Sequence, residues 1–144
     1  MVDKQGIIDH LGELEESLSD LERYRENITL DDLRGDRDKR NMVLHALLVT
    51  IQSCIDIANH LIVEFHLRRP ETYRESFEIL TEAELISQEL GDALSELAGF
   101  RNVLVHIYWR LDIENAFNIL QGDVWRVKEF AKISRDLLAR GKER

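Results

Sequence analysis

The sequence predicts an all-α protein: an up-and-down bundle of four longer helices and one short one. Three observations predict it. Apolar residues recur at steps of three and four along most of the chain, the period of a helix with one buried face. Proline occurs once, at Pro70, and no repeat, low-complexity run or Gly/Ser linker divides the chain. Hydrophobic residues make up 44% of 144 positions, enough for one core, so residues 1–144 read as a single domain.

The first predicted helix runs over about residues 3–27, where Ile7, Leu11, Leu14, Leu18, Leu21 and Ile28 repeat at helical spacing. Its other face is charged, which predicts packing on one side only. A turn containing Gly35 is expected at 31–36. The second helix, about 37–67, carries a wide apolar stripe from Val43 to Phe65, and Arg68-Arg69-Pro70 ends it, because the residue before proline avoids helical angles. A short third helix follows Pro70, with Tyr73, Phe77 and Leu80 inward. Thr81-Glu82-Ala83-Glu84 has capping-box spacing and predicts a new start near 82. The fourth helix then runs to about 110. Asp112 caps the fifth, which carries Ala116, Leu120, Val127, Phe130, Ile133 and Leu137.

The formal charge of −9 argues against indiscriminate coating of nucleic acid. Residues 1–32, however, hold ten acidic side chains against three basic ones, which leaves only −2 for the remainder. The region around residue 101 therefore need not repel a phosphate. The lone cysteine, Cys54, lies in an apolar helical pattern and reads as a buried thiol. The start, Met1-Val2-Asp3-Lys4-Gln5, lacks the basic and apolar blocks of a signal peptide, and no membrane span is expected. These features predict a cytoplasmic protein.

Chemistry concentrates on the fourth helix, in Arg101-Asn102-Val103-Leu104-Val105-His106-Ile107-Tyr108. At about 100° per residue, Leu97, Phe100, Val103, Leu104, Ile107 and Leu111 share a core face, while Arg101, Asn102, Val105, His106 and Trp109 lie on the other side. A solvated face does not normally carry a tryptophan, nor a core face an arginine and a histidine. This second face is read as meeting a partner, most simply a second copy of the chain. Two such strips would form a groove with two arginines and two histidines, suited to a phosphodiester: arginine binds phosphate oxygens with a planar fork, and histidine moves protons near neutral pH. Gly99, beside His106 on the wheel, predicts close approach of a backbone or ligand. Asp56 and His60, four apart, share a face and can form a pair supporting Arg101 or His106. The run Arg34-Gly35-Asp36-Arg37-Asp38-Lys39-Arg40 is basic but broken by aspartates, and reads as a solvated turn.

Arg101-Asn102-x-x-x-His106-x-Tyr108 resembles the Arg-x4-6-His motif of the HEPN superfamily, and the tyrosine two residues after the histidine resembles its HepT-like branch. Residues 51–62, 70–77 and 98–102 are similar to the corresponding stretches of that branch. The resemblance implies a homodimeric helical bundle with the motif lining the dimer cleft. It also implies a metal-independent endoribonuclease toxin without a cofactor, acting on RNA and neutralised by an MNT-type nucleotidyltransferase antitoxin. Arg101 and His106 would be the catalytic pair, Asn102 the polar residue accompanying the arginine and Tyr108 the acceptor of AMP; the supporting role of Asp56 rests on its spacing alone. The competing expectation is a non-catalytic helical module that binds a nucleotidyltransferase partner or a nucleotide.

Overall fold

The apolar stripe of residues 7–21 becomes α1 (Lys4–Asn27), which buries Ile7, Leu11, Leu14, Leu18 and Leu21. The computed structural model describes residues 4–106 and 112–141. Within them the remaining helices are α2 (Leu30–Gly35), α3 (Arg37–Glu64), α4 (Tyr73–Glu82), α5 (Gln88–His106), α6 (Ile113–Gln121) and α7 (Arg126–Gly141), with a 3-10 turn at Asp123–Trp125 and no strand. The all-α class is as expected; the division into elements is finer.

Four boundaries differ from the periodicity. The expected turn at 31–36 is mostly the short helix α2, because Thr29 and Asp32 form a reciprocal capping box: Asp32 N donates to Thr29 Oγ1 at 3.1 Å and Thr29 N to Asp32 Oδ2 at 3.0 Å. Helix α3 stops at Glu64, before the proline acts. His66 takes φ 56°, and Leu67 N donates to Ile62 O at 2.9 Å, a Schellman-type stop. The capping box expected at 81–84 is absent. Thr81 Oγ1 instead donates to Phe77 O inside α4, Glu84 turns left-handed at φ 59° with Leu85 N on Leu80 O, and the next helix is capped by Ser87, which accepts from Leu90 N at 3.1 Å. The expected fifth helix is likewise broken, at Gly122, into α6 and α7.

Helix α3 forms the centre. By length and composition it is long and apolar enough to cross a membrane, and 61% of its most apolar stretch is buried inside the bundle. It runs antiparallel to α1: Thr50 Oγ1 lies 2.8 Å from Ser17 Oγ, while His60 lies against His10. Helix α1 does not pack on one side only. Its Glu15 pairs with Arg135 at 2.6 Å and its Glu22 with Lys128, so part of its acidic face is matched by bases of α7. Helices α4 and α5 are also antiparallel, Ser95 Oγ donating to Arg74 O and Thr81 meeting Gly91. Phe77 of α4 meets Phe130 of α7 edge to face, with centroids 5.7 Å apart. At the α2–α3 corner Arg40 donates to the carbonyls of Leu33 and Arg34, and Arg34 pairs with Glu114, so the basic run there is tied down by internal contacts.

The loop between α3 and α4 is clamped by Arg68, whose Nε and Nη2 donate to Glu82 at 3.2 and 2.9 Å and whose Nη1 donates to Glu75 at 2.7 Å. The Arg68 guanidinium holds the Glu82 carboxyl below the usual carboxylate range. A carboxyl that titrates lower when folded stabilises fully above its unfolded value and ceases to do so as pH falls through the folded one. Arg68→Ala is expected to lower the melting temperature modestly at neutral pH, the pair being exposed, and to make no difference in strong acid. A difference persisting in acid, read by circular dichroism, would place the effect outside this ion pair.

Candidate active site

Arg101 sits on α5 where that helix crosses α3. Its Nε donates to Gln52 Oε1 at 2.9 Å, its Nη1 to Asn102 Oδ1 at 3.3 Å, and its guanidinium lies 4.8 Å from the centroid of the Tyr73 ring on α4. Three helices therefore hold one side chain. All three partners are neutral, so the arginine's charge is not cancelled by a direct ion pair among the described residues. The fork has five N–H groups, and these contacts use two; among the described residues nothing takes up Nη2 and the second Nη1 hydrogen, the pair that suits a bidentate phosphate contact.

Gln52 is fixed in turn. Its Nε2 donates to Asp56 Oδ1 at 3.0 Å, one turn further along α3, which leaves Oε1 facing the arginine. The second Asp56 oxygen faces His10 Nδ1 of α1 at 3.8 Å, and the His10 and His60 rings lie 5.5 Å apart. Asp56 thus bonds to Gln52 rather than to His60, its expected partner, and reaches Arg101 through the glutamine. Gln52 and Tyr73 were missed as site residues. The Gln52–Asp56 spacing of four was the one local signal, but only the crossing of α3, α4 and α5 brings Arg101 to it.

Gly99 has a different role from the one expected. A Cβ there would lie 2.2 Å from Arg74 Nη2, so the room made by this glycine is filled by an arginine of α4. Asn102 is exposed beside Arg101 and lines an open cleft of about 410 Å³ with Asn59, Tyr73 and Ser76. Leu97, Phe100 and Leu104 are buried as the wheel required, and Val105 is 42% exposed. His106 lies on α5, and its side chain lies outside the described residues, as do Tyr108 and Trp109 entirely. Cys54 is buried, and burial pushes its thiol up, out of reach of nucleophilic chemistry near neutral pH. Among the described residues no three His, Cys, Asp or Glu side chains converge as metal ligands.

Relatives share this arrangement of helices. The chain is 28% identical over 120 residues to the mRNA nuclease HepT of Shewanella oneidensis, spanning 83% of this chain and 84% of that protein. It is 29% identical over 92 residues to the tRNA nuclease HepT of Aphanizomenon flos-aquae, spanning 64% of this chain and 63% of that one. Among solved structures, the tri-AMPylated Shewanella oneidensis HEPN toxin in complex with MNT antitoxin matches with a TM-score of 0.81 at 25% identity, over 90% of this chain and 96% of that one. A family model described as Ribonuclease HepT-like matches residues 14–133, well over half of the sequence. A matched family model of that extent, over a bundle that holds Arg101 between three helices, identifies the chain as a member of the HepT-like ribonuclease family.

Proposed function

We propose that this chain is an endoribonuclease toxin, a single HEPN-type domain over residues 1–144 that acts as a homodimer and needs no metal ion. The observation that carries the reading is Arg101: held by neutral partners, with Nη2 unused among the described residues, it lies on the same helix as His106. In the reaction, the RNA 2′-oxygen attacks the adjacent phosphorus and its proton passes to a base. The P–O5′ bond breaks and the departing oxygen takes a proton. His106 moves these protons, from either chain of the dimer, and Arg101 stabilises the charge that builds on the phosphate. Asn102 orients the phosphate, and Gln52 with Asp56 keeps the arginine in register.

The dimer is supported by the face of α3 that carries the site. Met42, Gln52, Asp56 and Val63 fall within about 80° of one another around the helix; Met42 is 45% and Val63 61% exposed, and Val105 of α5 is exposed as well. A second copy would cover these apolar side chains and complete the cleft. The Shewanella oneidensis HEPN toxin is tri-AMPylated and in complex with an MNT antitoxin. That supports an MNT-type antitoxin as the partner here, with Tyr108 as the acceptor of AMP. A cytoplasmic setting is supported by the lone cysteine, buried and without a disulfide partner.

The test is cleavage of single-stranded RNA in excess EDTA with analysis of the ends. Undiminished cutting that leaves a 2′,3′-cyclic phosphate and a 5′-hydroxyl is expected. Cutting that stops on chelation, or that leaves 5′-phosphates, would overturn the internal-nucleophile mechanism.

A further inference from the structure

A fourth helix reaches the group that holds Arg101. Helix α1 runs antiparallel to α3, and Ser17 meets Thr50 in the core between them. His10 lies two turns earlier on α1, and the same register sets it against Asp56 and His60, six and ten residues further along α3. Its ring centroid is 5.5 Å from that of His60, with the planes tilted by 43°, and its Nδ1 lies at ion-pair distance, 3.8 Å, from Asp56 Oδ2. The other oxygen of that carboxylate, Oδ1, accepts from Gln52 Nε2 at 3.0 Å, and Gln52 Oε1 accepts from Arg101 Nε at 2.9 Å. Four side chains thus run from α1 across α3 to α5, with one Asp56 oxygen turned to the glutamine and the other to the histidine.

The consequence is electrostatic. Asp56 and Arg101 bond to the two ends of one glutamine amide, so a carboxylate released from its far side has a guanidinium within a side chain's reach. A direct pair between them would neutralise the charge that Arg101 brings to a phosphate and displace the Gln52 amide. We propose that His10 is a positioning residue of this active site: by holding Oδ2, it keeps the Asp56 carboxylate on Gln52 and away from Arg101. His60 packs beside the His10 ring and limits its movement. His10 therefore acts through two other side chains and not on the RNA. Its effect on cleavage rests on Arg101 acting in the reaction; the hold on the carboxylate does not.

Two measurements test it. First, initial rates are taken on a fluorescent single-stranded RNA, with circular dichroism to confirm folding. His10→Ala is expected to lower kcat by about three- to fivefold and to change KM by less than about twofold, because Arg101 acts on charge that builds during the reaction. The loss is smaller than for Asp56→Asn, since the His10 and Asp56 side chains are 35% and 34% exposed and water screens the contact. His10→Lys, which keeps a cationic nitrogen on α1, should recover most of it. In an Asp56→Asn background His10→Ala should cost nothing further, the charge it restrains being gone. Second, NMR of the arginine side chains follows Arg101 without turnover. The Nε–H signal that is lost in Arg101→Ala is expected to move in His10→Ala and to return in His10→Lys. An unmoved signal overturns the hold. Where Arg101→Ala is impaired, parental kcat in His10→Ala, or losses that multiply in the double variant, overturn the positioning role. A signal that moves while Arg101→Ala cuts at the parental rate overturns the catalytic reading of Arg101 and leaves the hold standing.

Discussion

Replacing Arg101 or His106 by alanine is expected to lower kcat/KM for RNA cleavage by at least about 10²-fold each, the usual effect of removing a charge-stabilising donor or a proton-transfer group. Arg101 is the sharper case, because the structure supplies its surroundings. Nε is committed to Gln52 and the guanidinium plane to Tyr73, so the side chain meets a phosphate without first surrendering rotamer freedom. Arg101→Lys keeps the charge but loses both the fork and the bond to Gln52, and should fall nearly as far as alanine. Asp56→Asn and Gln52→Ala should give a graded loss of about tenfold, since they free the arginine without removing it. Initial rates on a fluorescent single-stranded RNA, with circular dichroism to confirm folding, give the comparison. Parental rates in Arg101→Ala or His106→Ala would end the assignment of the catalytic pair. Parental rates in both Gln52→Ala and Asp56→Asn would confine the chemistry to Arg101 itself.

Phe77→Ala should have the largest effect on stability. Phe77 is 1% exposed, its edge-to-face partner Phe130 is fully buried, and the pair joins α4 to α7. Truncating such a ring costs about 3–5 kcal/mol through lost transfer energy and the cavity left behind. For a chain of this size that corresponds to a melting temperature lower by about 10 °C. Function should suffer as well, because Tyr73 lies one turn before Phe77 on α4 and supports Arg101 from below. Thermal and urea unfolding measure the first effect. A shift of only a degree or two would mean that the α4–α7 contact contributes little to the bundle.

The two predictions draw on different layers of information. The rings of Phe77 and Phe130 were legible as core residues from periodicity, although nothing in the sequence paired them. Arg101 and Asn102 were legible as a polar strip on an otherwise apolar helix, but their partners were not. The relay from Asp56 through Gln52 to Arg101 joins positions 49 residues apart in sequence. Pairing across that distance is set by how two helices cross, which no local pattern encodes. Gly99 shows the same limit: a glycine that promised room for a ligand gives room to Arg74.

By itself, then, the sequence determined the helical class, the core stripes of α1, α3 and α5, and the polar strip that carries Arg101 and Asn102, because period and composition are properties of adjacent residues. Helix ends were determined less well. Schellman stops at His66 and Glu84 and the break at Gly122 depend on single backbone conformations that apolar periodicity does not report. Only the tertiary structure decided what holds the arginine, and that an open cleft lined by Asn59, Tyr73 and Asn102 lies beside it. Those depend on the crossing of α3, α4 and α5, where hydrogen bonds form between distant residues.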